Sequence, residues 1–258
     1  MLKKFYFLFV MTCLFLQACV HSEKSEKQNF KKADLSKAAS YNVQLGLGYL
    51  KQGDRPRAKK KLITALEQEP NSPDVNSAMA YYFEQTNELD QAEKHYLKAL
   101  SLAKNGGAQL NNYGAFLCRR GQYKKAENYF LKAVNDIKYV HTAGAYENAG
   151  LCALSVPDEE KAKVYLSKAL NQDPSRRVSF YELLKLETKN GHDSEAFALL
   201  QKHSDLIIND KILLSLAKDI SVKVGQNTLA AEYEQSINNL NSNVDNSGVN
   251  NEYNNHTG

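Results

Sequence analysis

The sequence predicts an all-α protein, a right-handed α-α superhelix of about six helix-turn-helix repeats. Three observations predict it. Alanine recurs in one phase: Ala58, Ala92 and Ala126 stand 34 residues apart, Ala162 follows after 36, and Ala196 and Ala230 after 34 each. A large residue stands four positions after each marker, at Leu62, Tyr96, Phe130, Leu166 and Leu200, until Glu234 breaks the pattern. A turn residue precedes each marker by five, at Gly53, Asn87, Gly121, Pro157, Gly191 and Gly225. Units repeating at such a period stack so that each covers its neighbour's apolar face.

The third unit shows the design most fully. Leu110, Tyr113 and Leu117 fall on one helical face. Gly114 offers bare backbone where a partner helix must come close. After the turn at Gly121, Ala126, Phe130 and Ala133 form a second stripe. Small, large, small is the pattern that a closely packed antiparallel helix pair needs. A helix-turn-helix unit of 34 residues resembles the tetratricopeptide repeat. The resemblance covers residues 39–240, with repeats at 39–72, 73–106, 107–142, 143–176, 177–210 and 211–240.

Residues 1–18 read as a signal peptide. Lys3 and Lys4 precede an apolar run from Phe5 to Leu16, too short to span a membrane as a mature helix. The run ends Leu16-Gln17-Ala18-Cys19, which resembles the bacterial lipobox, with Gln17 a departure from the commoner small residue. That resemblance implies cleavage before Cys19 and a lipid on its thiol. In such lipoproteins an Asp after the Cys tends to retain the protein at the inner membrane, so Val20 implies the outer membrane, periplasmic face. Cleavage leaves 31 basic against 29 acidic side chains, no field for nucleic acid. The run Arg55 to Lys61 reads as a solvated second-helix face. Residues 19–38 hold the lipidated Cys and a polar, flexible tether with a reach of roughly 25 Å.

In repeat one Gly46 takes the small-residue position, Gly53-Asp54 the turn, and Pro56 the start of the second helix. Repeat two puts Ala80 at the small position and carries three rings in a row, Tyr81, Tyr82 and Phe83. The link from Asp136 to Thr142 holds the two extra residues before repeat four. Repeat six keeps little beyond Gly225 and Ala230, which suits a terminal cap. Residues 241–258 are rich in Asn and Ser and are expected to be a disordered tail.

Chemistry is sparse. The sequence holds no phosphate loop, no His-Glu-x-x-His, no Gly-x-Ser-x-Gly and no paired CxxC. The six His never stand three or four apart, and no carboxylates form a distinct acid-base pair. No catalytic residue, cofactor, metal or small-molecule substrate is expected. Cys118 and Cys152 lie in the first helices of adjacent repeats, which pack side by side. An oxidising compartment favours a disulfide between them. The alternative is two buried thiols, small and apolar enough for a core.

First helices line the concave face of such a stack, the usual surface for a peptide or partner helix. Here that face is expected to present Val43, Leu47 and Leu50, then Tyr81 and Glu84, then Asn111, Ala115 and Arg119, then Leu151. Each of these also suits plain packing between repeats. The segments from Leu110 to Gly121 and from Glu147 to Leu154, on a lipobox chain with six repeats, resemble the PilF/PilW family of type IV pilus biogenesis lipoproteins. The resemblance implies a pilotin, which brings the pilus secretin to the outer membrane and promotes its multimerisation. It implies no enzyme activity, and an Asn-rich tail is not expected of it. A second reading is an adaptor lipoprotein that scaffolds cell-wall enzymes or outer-membrane protein assembly.

Overall fold

Twelve α-helices follow one another in the computed structural model, which describes residues 34–156 and 158–252, with side chains through Ser242. They are α1 (34–51), α2 (Arg55–Gln68), α3 (Pro73–Gln85), α4 (Leu89–Leu102), α5 (Gly107–Arg119), α6 (Tyr123–Val134), α7 (Thr142–Ala153), α8 (Glu159–Gln172), α9 (Arg177–Lys189), α10 (Asp193–Lys202), α11 (Lys211–Lys223) and α12 (Asn227–Glu252). No strand occurs among the described residues. The helices pair in chain order into six helix-turn-helix units at the expected places. The chain divides into two compact units, one up to Tyr113 and one from Gly114.

Local chemistry sets the helix ends. Asp54 accepts from the Arg57 backbone N–H at 3.0 Å and Pro56 opens α2; Ser72 and Pro73 do the same for α3. Asp158 caps α8, and Asp210 caps α11 through two backbone N–H groups. At the turns Gly53, Gly121, Gly191 and Gly225 have φ between 73° and 80°, and Asn87 has φ 63°. This left-handed step lets two backbone N–H groups fold back onto the last carbonyls of the helix. In repeat one Gly53 donates to the Leu50 carbonyl and Asp54 to that of Tyr49, at 3.0 and 2.9 Å. Pro157, the turn residue of repeat four, lies outside the described residues.

The small-large pairing is a steric fact. A Cβ on Gly46 would lie 2.6 Å from Leu62 Cγ, one on Gly114 2.9 Å from the Phe130 ring, and one on Gly150 2.6 Å from Leu166 Cγ. Repeat six replaces the pair with charges: Lys218 and Glu234 stand at these two positions and form an ion pair at 2.8 Å. Glu234 thus breaks the apolar stripe that the earlier repeats keep.

Stacking leaves its own mark. The residue before the small position is buried in repeats two to six, as Met79, Tyr113, Ala149, Leu183 and Ala217. Its counterpart in repeat one, Leu45, is 48% exposed, because among the described residues no helix precedes α1 to cover it. In the N-terminal unit Ala58, Leu62, Ala78, Met79 and Tyr82 form the core between α2 and α3. In the C-terminal unit the core runs from Ala153 to Ile220, with Phe180, Leu184 and Leu200 fully enclosed.

Both ends of the repeat domain differ from expectation. Residues 34–38, read as the end of the tether, are helical. Leu35, Ala39 and Val43 recur at a four-residue spacing, and Ala39 packs with Ala65 and Val75, so α1 starts earlier. At the other end α12 continues to Glu252, into the Asn-rich stretch expected to be disordered. Once nucleated against α11, a helix gains one hydrogen bond for each residue it adds, and the first glycine it meets is Gly248. Residues 253–258 and residues 1–33, with the signal peptide and Cys19, lie outside the described residues.

Candidate partner-binding faces

In the N-terminal unit the first helices α1, α3 and α5 carry the expected binding residues. Val43, Leu47 and Leu50 are half-buried and lean on the core of Ala58, Leu62, Met79 and Tyr82. They are as much packing as surface. Tyr81 is 40% exposed, while its neighbour Tyr82 is buried and meets Phe83 edge to face. Of the three consecutive rings, helical phase therefore sends Tyr81 outward. Glu84, one turn on, accepts the Tyr96 hydroxyl at 3.0 Å and is held by it. Asn111 is half-buried. Gln109 donates to Asp74 at 2.9 Å, which ties the start of α5 to the start of α3. Of the expected binding residues here, Tyr81 is the large open ring, on a stiff, hydrogen-bonded backing.

In the C-terminal unit Ala115 and Leu151 are half-buried and Arg119 is exposed. Cys118 and Cys152 are joined in a disulfide with their Cα atoms 5.8 Å apart. Glu147, one turn before Leu151, is the polar hub. It accepts from the Ser179 hydroxyl at 2.7 Å, the Ser179 N–H at 3.2 Å and Arg176 Nη1 at 3.1 Å, and so fixes α7 to α9.

Two cavities of this unit were not foreseen. One, of about 740 Å³, has a floor of Leu154, Leu186 and Leu216. Its walls carry Glu182 paired with Lys185, and Glu159 paired with Lys189. The hydrogen bond from Lys189 holds the Glu159 carboxyl below its ordinary pKa. An apolar floor between charge pairs suits a protein segment with alternating apolar and charged residues. The other cavity, about 640 Å³, opens beside Tyr123, Ala149, Ala153 and Val156. Ala149 and Ala153 stand where repeat three has Tyr113 and Leu117, and the missing volume is the cavity. At its edge Tyr165 donates to Glu127 at 2.7 Å, and burial together with that carboxylate pushes the phenol up from its ordinary pKa. The first cavity was legible only as continued first-helix spacing beyond Leu151; the second was legible as small residues in α7. Among the described residues no group of three or more His, Cys, Asp or Glu is placed to hold a metal ion.

Comparison with known proteins gives these faces a context. A tetratricopeptide-repeat family model matches residues 73–105, the second repeat. The type IV pilus assembly protein PilF of Pseudomonas aeruginosa is 36% identical over 177 residues, covering 67% of this chain and 69% of that one. The chain belongs to the PilF family of type IV pilus assembly proteins. The solved structure of Pseudomonas aeruginosa PilF superposes with a TM-score of 0.65 at 30% identity, over 80% of this chain and 93% of that one. PilW, described as a widely conserved type IV pilus biogenesis factor, gives 0.62 at 26% identity over 76% and 90%. As a PilF-family chain it is a tetratricopeptide-repeat protein of type IV pilus biogenesis, of a class that works as a protein-interaction scaffold.

Proposed function

We propose that this chain is an outer-membrane lipoprotein that acts as a pilotin. It binds the pilus secretin through the first-helix face of its repeats and promotes the secretin's outer-membrane localisation and multimerisation. Membership of the PilF family carries the reading. The exposed Tyr81 beside the half-buried Leu47 and Leu50 supports the binding face, since an aromatic anchor over an apolar backing is what an amphipathic segment needs. The lipobox supports the anchor at Cys19.

The test is a blot for heat- and detergent-resistant secretin multimers in four strains: wild type, deletion, Cys19→Ala, and Leu47→Asp with Tyr81→Asp. The deletion should lose multimers. Cys19→Ala should leave them in the inner membrane. The double variant should fail to support assembly, with Tyr81→Asp alone as the form that spares the core and circular dichroism confirming its fold. Normal outer-membrane multimers in the deletion would overturn the pilotin reading. Normal assembly by the folded double variant would remove this face from it.

A further inference from the structure

Repeat one ends the stack on a face that in every later repeat is covered. Tyr41 and Leu45, one turn apart on α1, are 66% and 48% exposed. Their counterparts in repeat two, Val75 and Met79, are 2% and 3% exposed. One turn further Gly48 has open space within 4 Å of where a side chain would begin. Basic side chains frame the patch. Lys37 stands one turn before Tyr41, and Lys51 follows Gly48 by three residues. On α2 the Arg57 guanidinium lies over the Tyr49 ring at 4.8 Å, and Lys61 falls one turn beyond Arg57. Lys51, Lys60 and Lys61 form no ion pair among the described residues. Residues 34–69 hold seven basic side chains against the four carboxylates Asp34, Asp54, Glu67 and Glu69. The last helix is the reverse in charge: α12 carries Glu232, Glu234, Asp245 and Glu252 and no Lys or Arg.

We propose that this end face of repeat one docks on an anionic lipid surface. An amphipathic Tyr and a Leu within a basic frame match the interfacial layer of a bilayer: the ring and alkyl chain enter the headgroup boundary and the lysines meet phosphate. The chain reaches α1 from Cys19 through only the fourteen residues 20–33. A lipid there keeps this face within reach of a membrane. The acidic, polar α12 end argues against a second copy as the occupant, because head-to-tail stacking would set Glu234 against Leu45.

The test uses the chain from Val20 onward without lipid, which keeps every described residue, with phosphatidylcholine vesicles containing or lacking 30% phosphatidylglycerol. Co-sedimentation at low salt should occur only with the anionic vesicles and fall at high salt. Lys51→Gln with Lys60→Gln and Lys61→Gln should lower the partition coefficient about a hundredfold, at about fivefold for each lysine. Tyr41→Ser with Leu45→Ser, at positions already open to water, should lower it about tenfold while the melting temperature holds. A control removes the charges of Lys24, Lys27, Lys31 and Lys32. Binding lost in the control and kept in both face variants would assign the contact to the tether and overturn the proposal. So would absence of binding by the unaltered chain, or a dimer in light scattering that Tyr41→Ser with Leu45→Ser dissolves. The readout is independent of the secretin assay, so the two readings stand or fall separately.

Discussion

A glycine in this chain has a value set by what faces it. Gly150 and Gly48 both lie within first helices, where alanine is the better helix former by about 1 kcal/mol. A methyl at Gly150 would meet Leu166 Cγ at 2.6 Å and the Leu166 backbone nitrogen at 3.1 Å, so the helices must part. Gly150→Ala should therefore destabilise by about 1–3 kcal/mol. Gly48→Ala meets nothing and should stabilise by about 0.5–1 kcal/mol. Urea melts of both variants check the pair, and equal effects would show that helix propensity, not packing, governs these sites. His203 makes a second case. Its ring packs on Phe180 with centroids 5.8 Å apart, and its Nε2 is buried without a partner. Burial, and then Lys202, hold its pKa below the usual value; burial, Lys98 and Lys94 do the same for His95. The folded chain thus favours the neutral rings. Their stability is complete above the unfolded pKa of about 6.5 and is lost as pH falls below it toward the folded values. The melting temperature should drop between pH 7.5 and 5.5, and less steeply for His203→Leu. Identical slopes would take His203 out of the account.

At the scale of elements, the disulfide is a covalent cross-link between repeats three and four. It joins α5 to α7 across a sequence separation of 34 residues, a loop whose closure is worth about 3–4 kcal/mol in the chain-entropy model. Cys118→Ser, or reduction of the native chain, should lower stability by up to that amount. Calorimetry with and without a phosphine reductant measures it, and an unchanged transition would mean that helix packing alone holds these repeats. Elements were also where the sequence spoke most plainly. The markers Ala58 to Ala230 and the turn glycines fix the phase of each helix pair, because a 34-residue unit must place its small residue against its neighbour's large one. The two ends were harder to read. α1 begins earlier because Leu35 and Ala39 extend its stripe by one turn, and α12 runs on because no glycine interrupts it before Gly248. The binding face was legible as first-helix spacing but not as exposure: Val43, Leu47 and Tyr81 share that spacing, yet only Tyr81 is open. The cavity beside Ala149 and Ala153 needed the comparison with Tyr113 and Leu117, since alanine is an unremarked residue in any helix. Whether the Lys218–Glu234 pair stood in one place could not be read before α11 and α12 were seen to pack.

For the whole molecule, stability in a repeat protein is close to a sum of each unit's own packing and its contacts with neighbours, so it need not be uniform along the chain. The C-terminal unit has its largest core between Ala153 and Ile220, where Phe180, Leu184 and Leu200 are enclosed on all sides. α1 has one side uncovered at Tyr41 and Leu45. Amide exchange should accordingly be slowest in α8 to α10 and faster in α1. Deuterium uptake followed by mass spectrometry resolves these segments. The same experiment bears on the end face of repeat one. Adding anionic vesicles should slow exchange in α1 and leave α9 unchanged, because only a covered helix gains protection. If α1 is already as slow as α9 without lipid, its open side is covered in solution by another copy. The exposed tyrosine and leucine would then mark a subunit contact in place of a membrane one.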